Sequence, residues 1–302
     1  MLESVLPGTL VSAEWLACRL NDPNVAVVDI RGYVKTTDIG EGQQAAEYIG
    51  AADEYEASHI PGSVYVNWTT DITDPDAAVK AQIAPAARFA AAMAERGIGD
   101  YTDVVVVDHS GGHFATRLWW ALKYYGHDRA AVLDGGFNHW LAQGHPVTDK
   151  IARPSPQRFT PRTRQELRVE AEDVLRVVNN VDHPELIVDA RDRDQYTAAV
   201  RRGTRGGHIT SAVHLAAKSL FNPDGTWKSD HELDEILSSG GVKPDRKVLA
   251  YCNGGVTATA VLFALDRVGH TNWANYDGSW NEWGERLDLP VSTGQAPGSL
   301  SE

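Results

Sequence analysis

Short β-branched runs recur along the chain: VAVVD at 25–29, DVVVVD at 103–108, LIVDA at 186–190 and KVLAY at 247–251. Between them apolar residues return at helical spacing, as in PAARFAAAMAERG (85–97) and TRLWWALKYYG (116–126). Strand runs alternating with helical patterns predict βα units, and hence an α/β fold with a mainly parallel sheet and helices on both faces.

The pattern occurs twice. AVVDIR (26–31) matches LIVDAR (186–191), and HIPGSV (59–64) matches HITSAV (208–213). VVVVDHSGGHFATRLWWALKYYGH (104–127) pairs with VLAYCNGGVTATAVLFALDRVGH (248–270), and DGGFNHW (134–140) with DGSWNEW (277–283). TLVSAEWL (9–16) and LRVEAEDVL (167–175) open the two copies. The offset falls from 160 at Asp29/Asp189 to 143 at Asp134/Asp277, so the first copy carries 17 extra residues. Most lie in YVKTTDIGEGQQAAEYIGAADEY, which reads as a surface insertion. IARPSPQRFTPRTRQE (151–166) holds three prolines and four arginines without hydrophobic periodicity and reads as a linker. The expected division is a domain over 1–150, a linker over 151–167 and a domain over 168–302.

Length and composition fit this picture: 302 residues suffice for two cores, and 42% hydrophobic with 23% charged residues is ordinary for a globular chain. A net charge of −13 argues against wholesale binding to nucleic acid or an anionic membrane. The first twenty residues show no basic stretch followed by a long apolar block, so a cytoplasmic location is expected. Two cysteines make neither a disulfide framework nor a four-thiolate metal site. No metal-ligand spacing stands out, and no cofactor is expected.

Cys252 directly follows a strand run, and a helical pattern follows it in turn. In open parallel sheets ligands bind beyond the carboxyl ends of the strands. Gly254 and Gly255 allow a backbone in which successive N–H groups turn inward as an anion nest, and the next helix adds its positive end. That setting favours the thiolate, the form that attacks electrophiles. The first copy reads Asp108-His109-Ser110-Gly111-Gly112-His113 here and has no sulfur, so only the second half is expected to run thiol chemistry. Cys18, in SAEWLACRLN, is expected to pack inside. A phosphoryl-transferring cysteine loop needs a guanidinium six residues after the thiolate, and that position is Ala258.

These residues together resemble the tandem-domain rhodaneses, the thiosulfate and 3-mercaptopyruvate sulfurtransferases. The paired VVDIR/IVDAR strands, HIPGSV/HITSAV, the Cys-x-x-Gly-Val-Thr loop at 252–257 and the WNEWG segment at 280–284 carry the resemblance. It implies a silent first domain and a catalytic second one. Cys252 would take a sulfane sulfur from a small anionic donor, hold it as a persulfide and pass it to cyanide or a thiol, splitting one transfer into two steps. Asn253, Gly254, Gly255, Val256 and Thr257 would supply donors around that sulfur. Asp189 and Arg191 would sit beside the loop, although their twins Asp29 and Arg31 point to structural pairing.

Three positions depart from the family pattern. Asn253 and Gly254 are neutral where thiosulfate-specialised members carry a cation, and a donor-binding arginine would fall at Gln195. From Arg191 to His208 five arginines face two carboxylates, a local balance of 5 − 2 = +3. One of Arg201, Arg202 and Arg205 is therefore expected to face the pocket. His208 is matched by His59 in the silent copy, which favours a structural hydrogen bond to the neighbouring strand over a general base. The sequence leaves a second function open: a non-catalytic thiol module that senses oxidants or carries persulfide to a partner protein.

Overall fold

The computed structural model describes residues 3–109, 112–180 and 184–299. Each copy builds one five-stranded parallel sheet. The first uses β1 (Leu10–Val11), β2 (Val25–Asp29), β5 (Val64–Tyr65), β6 (Asp103–Val107) and β7 (Ala130–Leu133), in the order β1-β7-β6-β2-β5. A hairpin of β3 (Gly32–Gly40) and β4 (Gln43–Gly50) stands outside it. The second uses β8 (Arg168–Val169), β9 (Leu186–Asp189), β11 (Val213–His214), β12 (Val248–Tyr251) and β13 (Trp273–Tyr276), in the order β8-β13-β12-β9-β11. The remaining strands, β10 (His208–Ile209) and β14 (Val291–Ser292), pair antiparallel. Replacing each strand by its repeat partner converts one order into the other.

Successive strand side chains point to opposite faces, so an unbroken apolar run feeds two cores. Val27, Val105 and Val107 pack with Leu16 and Trp140, whereas Val28, Val104 and Val106 pack with Phe89 and Leu118 on the other face. The second sheet repeats this, with Ile187, Leu249 and Tyr251 against Val174 and Trp283, and Val188, Val248 and Ala250 against Leu233 and Phe263.

One of these cores is common to both halves. It joins Val104 and Trp119 of the first to Val248, Cys252 and Trp273 of the second. The helices Ala115–Tyr124 and Ala258–Arg267 meet in it, and the repeat-equivalent Thr116 and Thr259 hydrogen-bond through their hydroxyls at 2.9 Å. The halves are thus related by a pseudo-two-fold axis near this pair. Buried charge fixes their docking: Arg117 is 2.6 Å from Asp277 across the interface, and Asp277 also accepts from the Ile83 amide at 2.8 Å.

The proline-rich linker is no free tether. It runs along the first half, with the Gln157 amide donating to the Ala94 carbonyl at 3.0 Å, the Arg162 amide to Tyr125 at 2.8 Å, and Phe159 buried. Cys18 departs from expectation, since it is exposed at the end of the five-residue helix Ala13–Ala17. So short a helix buries only Ala13 and Leu16.

Candidate active site

Cys252 stands at the carboxyl end of β12, at the central crossing of the second sheet. Cys252 is only 3% exposed, yet it lines a cavity of about 360 Å³ between the halves. The loop after it is tied down from behind. The amides of Trp280 and Asn281 donate to the carbonyls of Cys252 and Asn253 at 3.0 and 2.8 Å. The Gly255 carbonyl accepts from Arg117 at 3.1 Å and from Asn275 at 3.0 Å. In a trans peptide the following N–H points opposite to the carbonyl. The amides of Asn253, Gly254 and Val256 are therefore turned away from these anchors, none of which lines the cavity. Among the described residues no protein acceptor meets the amides from Asn253 to Thr257. The helix Ala258–Arg267 begins directly after them.

The glycines are needed where the sequence places them. Gly255 has φ +68°, and a Cβ there would lie 2.9 Å from the Asp277 carbonyl oxygen. A Cβ on Gly254 would lie 2.9 Å from Ala81 of the first half. Gly255 itself turns the loop and does not line the cavity.

The structure separates the arginines. Arg202 lines the cavity; its Nε donates to Gln44 at 3.3 Å, and no carboxylate pairs with it among the described residues. Burial draws its guanidinium below the ordinary arginine value, but arginine remains charged at neutral pH. Arg201 points its guanidinium to Gln43 and does not line the cavity, because its backbone is held by the hairpin. Arg205 is consumed by carbonyls at a helix end, those of Trp283, Gly284, Leu289 and Arg286. Neither Arg201 nor Arg205 is placed to bind a ligand there. Arg191 borders the cavity, but its guanidinium is bound to Asp189 at 2.6 Å and to the Gly207 carbonyl at 2.7 Å. The same Asp-Arg unit recurs at Asp29 and Arg31.

His208 is buried, and its partners differ from those expected. Its ring stacks on Tyr196 with centroids 3.7 Å apart, and its nitrogens meet the carbonyls of Tyr196 and Pro297 rather than a neighbouring strand. His59 repeats the arrangement with Tyr55 and Lys150. Gln195 supports the loop instead of meeting a ligand with charge: its side-chain oxygen accepts from Asn253 at 2.9 Å. Lys218 also borders the cavity and pairs with Asp192 at 2.5 Å.

Sequence reasoning missed the opposite wall. The hairpin read as a surface insertion crosses to the second half, where the Gln44 amide donates to the Arg201 carbonyl at 2.9 Å and the Arg201 amide to Gly42 at 2.8 Å. Val34, Thr36 and Tyr48 from the hairpin, with Trp68, His113 and Phe114, close the cavity. Burial pushes the His113 imidazole below its ordinary value, and its Nδ1 has no hydrogen-bond partner. Ser110 and Gly111 of the first-half loop lie outside the described residues. The one available signal was that the insertion belongs to the copy without the sulfur. Among the described residues no group of His, Cys, Asp and Glu is arranged to hold a metal, and no helix is long and apolar enough to cross a membrane.

Two equivalent parallel α/β domains, with a buried thiol on a glycine loop between them, define a duplicated thiol-bearing fold. The sequence profile of the Rhodanese-like domain matches residues 12–143 and again 170–286, and the chain belongs to this family. It is 32% identical to the 3-mercaptopyruvate sulfurtransferase of Escherichia coli, over 93% of this chain and 96% of that one. It is 30% identical to a putative thiosulfate sulfurtransferase of Mycobacterium tuberculosis, over 94% of this chain and 98% of that one. The crystal structure of SseA from Escherichia coli, a 3-mercaptopyruvate sulfotransferase with the rhodanese fold, superposes with a TM-score of 0.79 at 28% identity. That match covers 90% of this chain and 98% of SseA.

Proposed function

We propose that this protein is a sulfurtransferase whose nucleophile is Cys252, with chemistry confined to the second half. The observation that carries this reading is the lone sulfur in the cavity, ringed by amides without protein acceptors and faced by an arginine without a carboxylate. The Cys252 thiolate attacks the outer sulfur of thiosulfate or the sulfur of 3-mercaptopyruvate. A bond to Sγ forms, and the donor's S–S or C–S bond breaks, with its electron pair leaving on sulfite or on the enolate of pyruvate. The free amides stabilise the persulfide, and Arg202 holds the donor's anionic end. Cyanide or a thiol then attacks the terminal sulfur and returns Cys252 to the thiolate.

The test is Cys252→Ser, with both donors and cyanide as acceptor. Thiocyanate formation is expected to vanish while the far-UV spectrum and melting temperature are retained; appreciable residual turnover overturns the assignment. Measuring kcat/KM for the two donors side by side decides between them. Slow turnover with every small donor, joined to a stable complex with a protein, points instead to a persulfide carrier.

A further inference from the structure

Tyr48, on β4 of the silent half, lines the same cavity as Cys252, and its hydroxyl oxygen lies 3.4 Å from where a Cβ on Gly254 would stand. Asn281 fixes the direction of its proton. The Asn281 side-chain nitrogen donates to the Lys80 carbonyl at 3.2 Å, and that oxygen can only accept, so the NH2 group faces this side. The same nitrogen is 3.1 Å from the Tyr48 hydroxyl, which must therefore be the acceptor. Among the described residues the Tyr48 O–H has no acceptor of its own. Burial raises the Tyr48 pKa, so the proton is retained at neutral pH. The ring is braced by Trp68, with centroids 5.2 Å apart.

We propose that Tyr48 is a catalytic hydrogen-bond donor, contributed by the half without the sulfur, to the donor oxygen that gains charge as sulfur departs. This rests on the sulfurtransferase reading and extends it to the leaving group. With 3-mercaptopyruvate the Cys252 thiolate bonds to the donor sulfur, which keeps its proton, and the C–S bond breaks. The electron pair moves into the carbon skeleton and appears on the former ketone oxygen as an enolate, to which the Tyr48 O–H donates. Water then protonates the methylene to give pyruvate. The ketone starts neutral and becomes anionic, so the hydrogen bond strengthens along the reaction. In thiosulfate the oxygens share negative charge from the start, and the same bond gains less.

The experiment is single-turnover persulfide formation on Tyr48→Phe with each donor, followed by protein mass, and separately the discharge of preloaded persulfide by cyanide. Formation from 3-mercaptopyruvate is expected to slow about 100-fold, as for removal of one oxyanion donor. Formation from thiosulfate should slow much less, and discharge should be unchanged. 3-Fluorotyrosine at position 48, which keeps a hydroxyl and strengthens it as a donor, should restore the rate. The proposal is overturned if formation from 3-mercaptopyruvate slows no more than formation from thiosulfate, or if the fluorinated residue leaves the defect in place. Absence of any Cys252 persulfide in the wild type would instead sink the sulfurtransferase reading and this one with it.

Discussion

Replacing Arg117 with methionine tests whether the first half holds the cysteine loop in shape. Arg117 is 1% exposed and Asp277 fully buried, and Arg117 also donates to the carbonyls of Gly255 at 3.1 Å and Ala81 at 2.9 Å. Removing one partner of such a pair leaves an uncompensated buried charge, at a cost of about 3–5 kcal/mol. Asp277 keeps the Ile83 amide and has Arg168 at 3.6 Å, and Gly255 keeps Asn275. These survivors place the expected loss near the lower end, about 3 kcal/mol. Urea unfolding followed by both tryptophan fluorescence and far-UV circular dichroism measures it, and the common core predicts one transition seen alike by both probes. Adding Asp277→Asn should recover part of the loss, because the stranded charge is then gone. A loss below about 1 kcal/mol, the scale of an exposed ion pair, would refute the argument.

Arg202→Met should lower kcat/KM for anionic donors about 10- to 100-fold, the scale of a hydrogen bond to a charged group. Alkylation separates its role from general damage: anionic iodoacetate should slow while neutral iodoacetamide does not, and equal changes would count against it. Acid should also weaken the fold. Burial pushes His113 and His127 below their ordinary value of 6.5, so below that pH the unfolded chain binds more protons than the folded one. Stability is therefore complete above about pH 6.5 and falls as pH drops through it. Melting temperatures from pH 7.5 to 5.5 check the sign, and His127→Gln should flatten the decline.

The duplicated α/β architecture was legible because strands buried on both faces write themselves as apolar runs, and five such correspondences kept their order. The Cys252 loop was legible because a strand end, two glycines and a helical pattern form a local signal. The hairpin's place in the site was not. Its side chains are largely exposed, like those of any surface insertion, and what they border depends on how two halves dock through Thr116, Thr259, Arg117 and Asp277. The choice among the arginines was hidden for the same reason. Arg205 is drawn to carbonyls about eighty positions away, at Gly284 and Leu289, and composition carries no trace of that. Cys18 was misplaced because a period that fits an amphipathic helix does not tell how soon the helix stops.

The hairpin that crosses from one repeat to the other ties the evolutionary fates of the two copies together. A copy without the sulfur would ordinarily be free to drift, but here its strands shape the room around its twin's thiol. Changes within residues 32–50 can therefore reshape that room without altering the glycine loop that carries the thiol. Duplication has in this way set the thiol in one copy and part of the wall that faces it in the other.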